Sequence, residues 1–104
     1  MRGRADVRFR TRKLQSQYER SGEAVKAYGE PVARKYILRI NTIRAAHDIE
    51  VLKHLPALRC HQLKGRRQGQ WAVNLTGYRR LIFTLEGDRL EIVQIEEVSK
   101  HYED

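Results

Sequence analysis

The sequence predicts an α+β domain with an N-terminal strand and two to three helices packed on an antiparallel sheet of about four to five strands. Its 104 residues suit one hydrophobic core, and we expect a single domain over residues 1 to 104. Apolar residues recur at helical spacing from Lys13 to Pro56 and at a period of two before and after that region. Helices followed by an antiparallel meander indicate that the helices cover the apolar face of the sheet.

The first predicted strand is "ADVRFRTRK". Val7 and Phe9 alternate with Arg8 and Arg10, so one face of the strand carries the arginines. If this strand joins the later ones, the sheet has about five strands.

Two helical regions follow. Residues 13 to 28 have helical spacing with an interruption at Ser21-Gly22, and Pro31 opens the clearest helix. That helix has one apolar stripe, consisting of Val32, Tyr36, Ile40 and Ile43. Its basic residues are expected on other faces: Arg34, Lys35, Arg39 and Arg44. Asp48 is the expected cap of a short further segment that Pro56 ends.

The remaining strands are "LRCHQL", "QWAVNL", "YRRLIFTL" and "RLEIVQIEEV", separated by turns at "KGRRQG", "TG" and "EGD". Alternation places Trp71 with the core-facing residues of its strand and points Arg80 away from Arg79, Leu81 and Phe83. The sheet face opposite the helices is therefore the one that could carry Arg80, together with His61 and Lys64.

Charge is unevenly distributed along the chain. The net charge is +8, but residues 1 to 85 hold 19 basic and 6 acidic groups, whereas residues 86 to 104 hold 2 basic and 7 acidic groups. A basic body suits a polyanion such as nucleic acid, although a solubilising excess of charge would look the same. No apolar run of about 18 residues predicts a membrane span, and the N-terminus has no apolar leader, so a cytoplasmic protein is expected.

One stretch is distinctive. "HQLKGRRQGQWAVNLTGYRRLIF", residues 61 to 83, contains one His, one Lys and four Arg and no acidic residue. It resembles the RelE/ParE superfamily of bacterial toxins, in particular the HigB branch (plasmid maintenance killer proteins). The matching positions are His61, Leu63, Lys64, Gly65, Gly69, Trp71, Val73, Gly77, Arg80, Leu81 and Phe83. Two features depart from that pattern: Arg79 replaces the usual aromatic, and the chain ends in "SKHYED".

The resemblance implies the toxin of a bacterial type II toxin–antitoxin system, an endoribonuclease that cuts messenger RNA on the 70S ribosome without a metal or other cofactor. It implies a helix-turn-helix or ribbon antitoxin as partner, and a homodimer or a toxin–antitoxin hetero-oligomer as possible assemblies. Metal-free RNA cleavage needs a base for the 2′-hydroxyl, cations for the phosphate and an acid for the leaving oxygen.

The resemblance also suggests roles for individual residues. Lys64 and Arg80 are expected to hold the scissile phosphate. His101 and His61 are expected to act as acid or base, and Tyr102 to stack on a base or donate to the phosphate. Residues expected to bind ribosomal or messenger RNA are Arg66, Arg67, Arg79, Arg8 and Arg10.

Other interpretations remain open from the sequence. The chain could be a catalytically inactive module of this fold that binds RNA or a partner, or a small interaction domain whose basic face binds an acidic chain. His61 could simply line the sheet, and Arg66 and Arg67 could simply solvate a turn. The charge distribution further predicts that the acidic C-terminal residues fold back over the basic face.

Overall fold

A computed structural model describes residues 5–46, 48–86 and 91–100. The helices are α1 (Arg12–Glu19), α2 (Ser21–Tyr28), α3 (Glu30–Ala45) and α4 (Ile49–Lys53). The strands are β1 (Asp6–Phe9), β2 (His61–Gln62), β3 (Gln70–Asn74), β4 (Arg79–Glu86) and β5 (Ile92–Lys100). The predicted α+β class and the five strands are confirmed, while the described residues form four helices where two to three were predicted.

The strand order is β1-β5-β4-β3-β2. Strands β2 to β5 form the expected antiparallel meander, which starts at the far edge and returns across the sheet to β1. The pairing of β1 with β5 is parallel, so the sheet is mixed rather than wholly antiparallel. Parallel and antiparallel strands show the same period-two alternation, so the sequence pattern does not reveal the direction of pairing. The route of the chain through the helices decides that β1 runs parallel to β5.

The helix boundaries have local causes. Thr11 is the N-cap of α1, and its Oγ1 atom accepts a hydrogen bond from the amide of Leu14 at 3.1 Å. The interruption between α1 and α2 lies at Arg20, whose backbone is extended, directly before the predicted Ser21-Gly22 position. Gly29 has φ of 83°, which suits the glycine that separates α2 from α3. Asp48 caps α4 as predicted, accepting from the amide of Glu50 at 2.9 Å.

The main core lies between the helices and one face of the sheet. Tyr36, Ile40 and Ile43 of α3 are fully buried against Leu81 and Phe83 of β4 in this cluster. Trp71 packs against the same cluster, as predicted for a core residue. The Tyr36 hydroxyl donates to the carbonyl of Leu14 at 2.7 Å, which ties α3 to α1. In the described part of the chain, no helix is long and apolar enough to cross a membrane.

Arg39 was expected on a face of α3 other than the apolar stripe, and the structure nevertheless buries it. Its side chain is only 7% exposed, and its Nε atom donates to the carbonyl of Asn74 at 3.0 Å. Arg39 lies three residues after Tyr36 and four before Ile43, so helical geometry places it beside the buried stripe, over the end of β3. Burial lowers the pKa of its guanidinium.

Candidate nucleic-acid interface

The sheet face opposite the helices, here called the open face, carries the predicted site residues that belong to strands. One row across the sheet consists of His61, Ala72, Ile82 and Glu97. The next row contains Asn74, Arg80 and Ser99. Leu63, Ala72 and Ile82 form a small second apolar cluster, so the open face has buried apolar residues of its own.

Arg80 is built into this face. Its side chain is 6% exposed, and its Nε atom donates to the Oγ atom of Ser99 at 3.3 Å. The predicted alternation is confirmed, because Leu81 and Phe83 belong to the main core while Ile82 belongs to the second cluster. A guanidinium fixed in a sheet is preorganised for an anion, since little side-chain freedom is lost on binding.

His61 lies on the open face, and its ring contacts the backbone of a residue before β2. Its Nδ1 atom is 2.8 Å from the carbonyl oxygen of Arg59. Because a carbonyl oxygen can only accept, Nδ1 donates, and in the neutral ring Nε2 is then the acceptor. Arg59 has a left-handed backbone with φ of 48°, which turns its carbonyl toward the ring. His61 and Arg80 are separated by two strand spacings, about 10 Å, and by two residues along the strands, about 7 Å.

Lys64 and Arg80, which were expected to hold the same phosphate, lie near opposite ends of β3. The amide of Leu63 donates to the carbonyl of Gln70 at 2.9 Å, at one end of β3, whereas Arg80 pairs with Asn74 at the other end. Those two positions on β3 are about 13 Å apart along the strand. Lys64 is exposed and leads into the 3-10 turn Gly65–Arg67. The structure therefore brings His61 and Arg80 onto one face and leaves Lys64 at its edge.

Arg67 has a protein partner that the sequence did not reveal. Its Nη1 atom lies 2.9 Å from a carboxylate oxygen of Glu97 and donates to Oε1 of Gln70 at 3.0 Å. Gln70 is on β3 and Glu97 is on β5, so the guanidinium crosses β4, which runs between them. Its neighbour Arg66 is exposed. At least one basic residue of this turn therefore has its partner within the protein.

The other predicted RNA-binding arginines are dispersed. Arg8 is exposed on the open face beside Gln94 and pairs with Asp6 at 3.3 Å. Arg10 follows β1 and is exposed. Arg79 faces the helices instead, and its guanidinium carbon lies 5.6 Å from the centre of the Tyr28 ring. His101 and Tyr102 lie outside the described residues.

Two carboxylates on β5 were missed as site residues. Glu96 accepts from the Thr84 hydroxyl at 2.8 Å and from Nε2 of Gln94 at 2.9 Å. The pairing register shifts between Ile82 and Phe83, and the extra residue on β5 brings Glu96 to the same side as Glu97. The only sequence signal was the Glu-Glu pair that breaks the alternation. Glu96 and Glu97 thus belong to the open face as residues of β5, and the predicted fold-back of the chain's last residues concerns positions 101 to 104, which lie outside the described residues.

Comparison with known proteins identifies the fold. No protein-family model and no curated protein sequence matches the chain. Among solved structures, the Escherichia coli DinJ-YafQ toxin-antitoxin complex matches with a TM-score of 0.61 and 14% identity, over 94% of this chain and 93% of that one. The YoeB/ParE toxin from Agrobacterium tumefaciens matches with a TM-score of 0.54 and 18% identity, over 93% and 99%. The Staphylococcus aureus YoeB dimer matches with a TM-score of 0.55 and 16% identity, over 96% and 100%. The RelE-like fold is therefore confirmed, while the HigB branch stays a prediction.

Proposed function

We propose that this chain is the toxin of a type II toxin–antitoxin system and cuts translated messenger RNA on the ribosome. The observation that carries the proposal is the placement of Arg80 and His61 on the open face of a RelE-like sheet. Arg80 is buried and His61 is exposed, so a fixed cation and an accessible imidazole lie on one surface. The names of the similar structures, which include toxins and a toxin–antitoxin complex, support the proposal.

The chemistry follows from these two groups. In the proposed reaction, Nε2 of His61 takes the proton of a 2′-hydroxyl, and the resulting oxygen attacks the adjacent phosphorus. A bond from the 2′-oxygen to phosphorus forms while the bond from phosphorus to the 5′-oxygen breaks, and an acid returns a proton to that oxygen. Arg80 stabilises the negative charge that develops on the phosphate oxygens. DNA lacks the internal nucleophile and is not a substrate.

The remaining roles are assigned to residues around this pair. His101 or Tyr102 is proposed as the acid, and Lys64 as a cation that holds the RNA beside the scissile phosphate. Arg66, Arg8 and Arg10 are proposed to contact ribosomal or messenger RNA, since all three are exposed. Arg67 and Arg79 remain proposed RNA contacts, although Arg67 must then exchange Glu97 for phosphate.

The proposed partners are a helix-turn-helix or ribbon antitoxin and the 70S ribosome in the bacterial cytoplasm. The DinJ-YafQ complex and the YoeB dimer support an antitoxin partner and a possible homodimer, respectively.

A second candidate function is a binding module of the same fold without catalysis. Glu96 and Glu97 favour it, because two carboxylates near β4 reduce the positive potential on the open face. Such a module would bind RNA or a partner chain and leave RNA intact.

The deciding experiment compares the wild type with Lys64→Ala/Arg80→Ala. The control is Arg12→Ala/Lys13→Ala, which removes the same charge from exposed positions of α1. Purified proteins, checked for folding by circular dichroism, are mixed with messenger RNA alone or with translating ribosomes, and 5′ ends are mapped. Cuts that require ribosomes, and that the wild type and the control make but Lys64→Ala/Arg80→Ala does not, support the proposed nuclease activity. Intact RNA with folded wild type contradicts it and favours the binding module.

A further inference from the structure

A second cationic cluster lies on the helix side of the sheet, at the end where β3 meets β4. It consists of Arg39, Arg79 and Tyr28, and is called here the helix-side cluster. Arg39 of α3 contacts the carbonyl of Asn74 at the end of β3, and Arg79 at the start of β4 contacts the ring of Tyr28, in the last turn of α2. None of the three belongs to the open face, which carries Arg80 and His61.

Arg39 is the feature that needs an explanation. Its side chain is more than nine-tenths buried, yet within the described residues its only hydrogen bond is the one from Nε to the carbonyl of Asn74. None of the ion pairs in that part of the chain includes it. Buried arginines are normally paired with a carboxylate, because removing the charge from water is costly. The terminal nitrogens of Arg39 are therefore suited to an anion from outside the chain.

Arg79 adds a second guanidinium to the same region. It pairs with Leu75 through a backbone hydrogen bond of 3.1 Å, directly beside the Asn74 carbonyl that Arg39 contacts. The Tyr28 ring holds Arg79 from one side, and the Tyr28 hydroxyl donates to Oε1 of Gln17 at 2.6 Å. Lys100 lies opposite Arg79 in the strand register and adds a further positive charge.

Within the described residues, the carboxylates of α2 and α3 do not neutralise this charge. The only acidic residue of α3 is Glu30, nine residues before Arg39 and thus about 13 Å away along the helix axis. The only acidic residue of α2 is Glu23, which pairs with Lys26 at 3.4 Å. Tyr28 is the polar group of α2 that contacts Arg79, and it carries no charge at neutral pH.

We propose that Arg39 and Arg79 bind a backbone phosphate of the RNA strand whose scissile phosphate lies at Arg80. Arg79 and Arg80 are consecutive in β4 and point to opposite faces, so a single strand that crosses the β3–β4 end of the sheet meets both. The planar forks of the two arginines match the oxygens of a phosphate. The RNA strand is thus held on both faces of the sheet, at the end where β3 meets β4. This inference rests on the proposed function for the identity of the strand.

The test measures binding and does not depend on cleavage. A fluorescent single-stranded RNA whose 2′-hydroxyls are methylated cannot be cut by internal attack, and its affinity is measured by anisotropy over a range of salt concentrations. The variants are Arg79→Gln, which removes one cation, and Arg39→Lys, which keeps the charge but loses the fork. Arg34→Gln is the matched control, since Arg34 is an exposed residue of the same helix.

Arg79→Gln is expected to weaken binding about tenfold at low salt and to reduce the slope of log K against log salt by about 0.7. Arg39→Lys is expected to weaken binding by a similar factor while leaving the salt slope unchanged. Arg34→Gln is expected to change the affinity and the salt slope by less than Arg79→Gln does. Thermal denaturation checks that each variant is folded, and if Arg39→Lys is not, Arg79→Gln decides. Equal affinity of Arg79→Gln and Arg34→Gln would overturn the proposal.

Two further outcomes separate this inference from the nuclease assignment. Binding that depends on Arg79, in a wild type that cuts no RNA, keeps the phosphate site and removes the enzymatic role. A glutamate-rich peptide that binds through Arg79 while RNA does not would overturn the RNA assignment in favour of an acidic protein partner.

Discussion

The ion pair between Arg67 and Glu97 gives the sharpest test of how the open face is organised. Arg67 belongs to the turn that follows Lys64, and its guanidinium crosses β4 to reach β5. We expect that breaking this contact loosens the turn and lowers the free energy of unfolding. The perturbations are Arg67→Gln, Glu97→Gln and the double variant, which together form a double-mutant cycle.

The magnitude is limited by solvent. Both side chains are 39% exposed, so the coupling energy should lie between about 0.5 and 1 kcal/mol, in the upper part of the range for exposed pairs. For a domain of this size, about 1 kcal/mol corresponds to a shift in Tm of about 4 to 8 °C. Because the pair is partly exposed, the coupling should decrease in 1 M salt, where the screening length is about 3 Å.

The assay is thermal unfolding followed by circular dichroism, with Arg66→Gln as the control. Arg66 belongs to the same turn but is exposed, so its replacement should leave Tm nearly unchanged. A coupling energy near zero, or an Arg66→Gln variant as unstable as Arg67→Gln, would refute the argument that Arg67 is committed to the fold.

Three further predictions concern the rest of the chain. Tyr36→Phe removes the hydroxyl that donates to the Leu14 carbonyl and should cost about 0.5 to 1.5 kcal/mol at pH 7. Burial raises the Tyr36 pKa, so the difference in the free energy of unfolding between the wild type and Tyr36→Phe should shrink as pH rises above about 10, where the unfolded tyrosine ionises. A difference that stays constant up to pH 11 in denaturant titrations would contradict this. Burial also raises the pKa of Cys60 from 9.0 to about 11, so its thiol at pH 8 should react with iodoacetamide about a hundred times more slowly than in the denatured chain, and equal rates in the two states would contradict this. Gly77→Ala should cost about 1 kcal/mol in denaturant unfolding because φ is +61° with open space around it, whereas Gly22→Ala in α2 should not destabilise; the reverse order would be inconsistent with backbone strain as the cause.

The periodic elements were readable from the sequence because each depends on neighbouring residues. The capping role of Asp48, the interruption near Ser21 and the core position of Trp71 were all predicted and are confirmed. The face of Arg80 was predicted by alternation alone, since a strand leaves only two choices for each side chain. The RelE-like fold came from a motif spread over residues 61 to 83.

The sequence by itself determined which residues alternate, where helical and strand periods occur and that the excess of basic groups lies in residues 1 to 85. Only the tertiary structure decided that β1 runs parallel to β5, that Arg39 is buried and that Arg67 pairs with Glu97. The physical reason is range: period and capping act within a few residues, whereas Arg39 meets Asn74 across 35 positions and Arg67 meets Glu97 across 30. Contacts at such separations depend on how helices and strands pack, and so does the placement of charge on the two faces of the sheet.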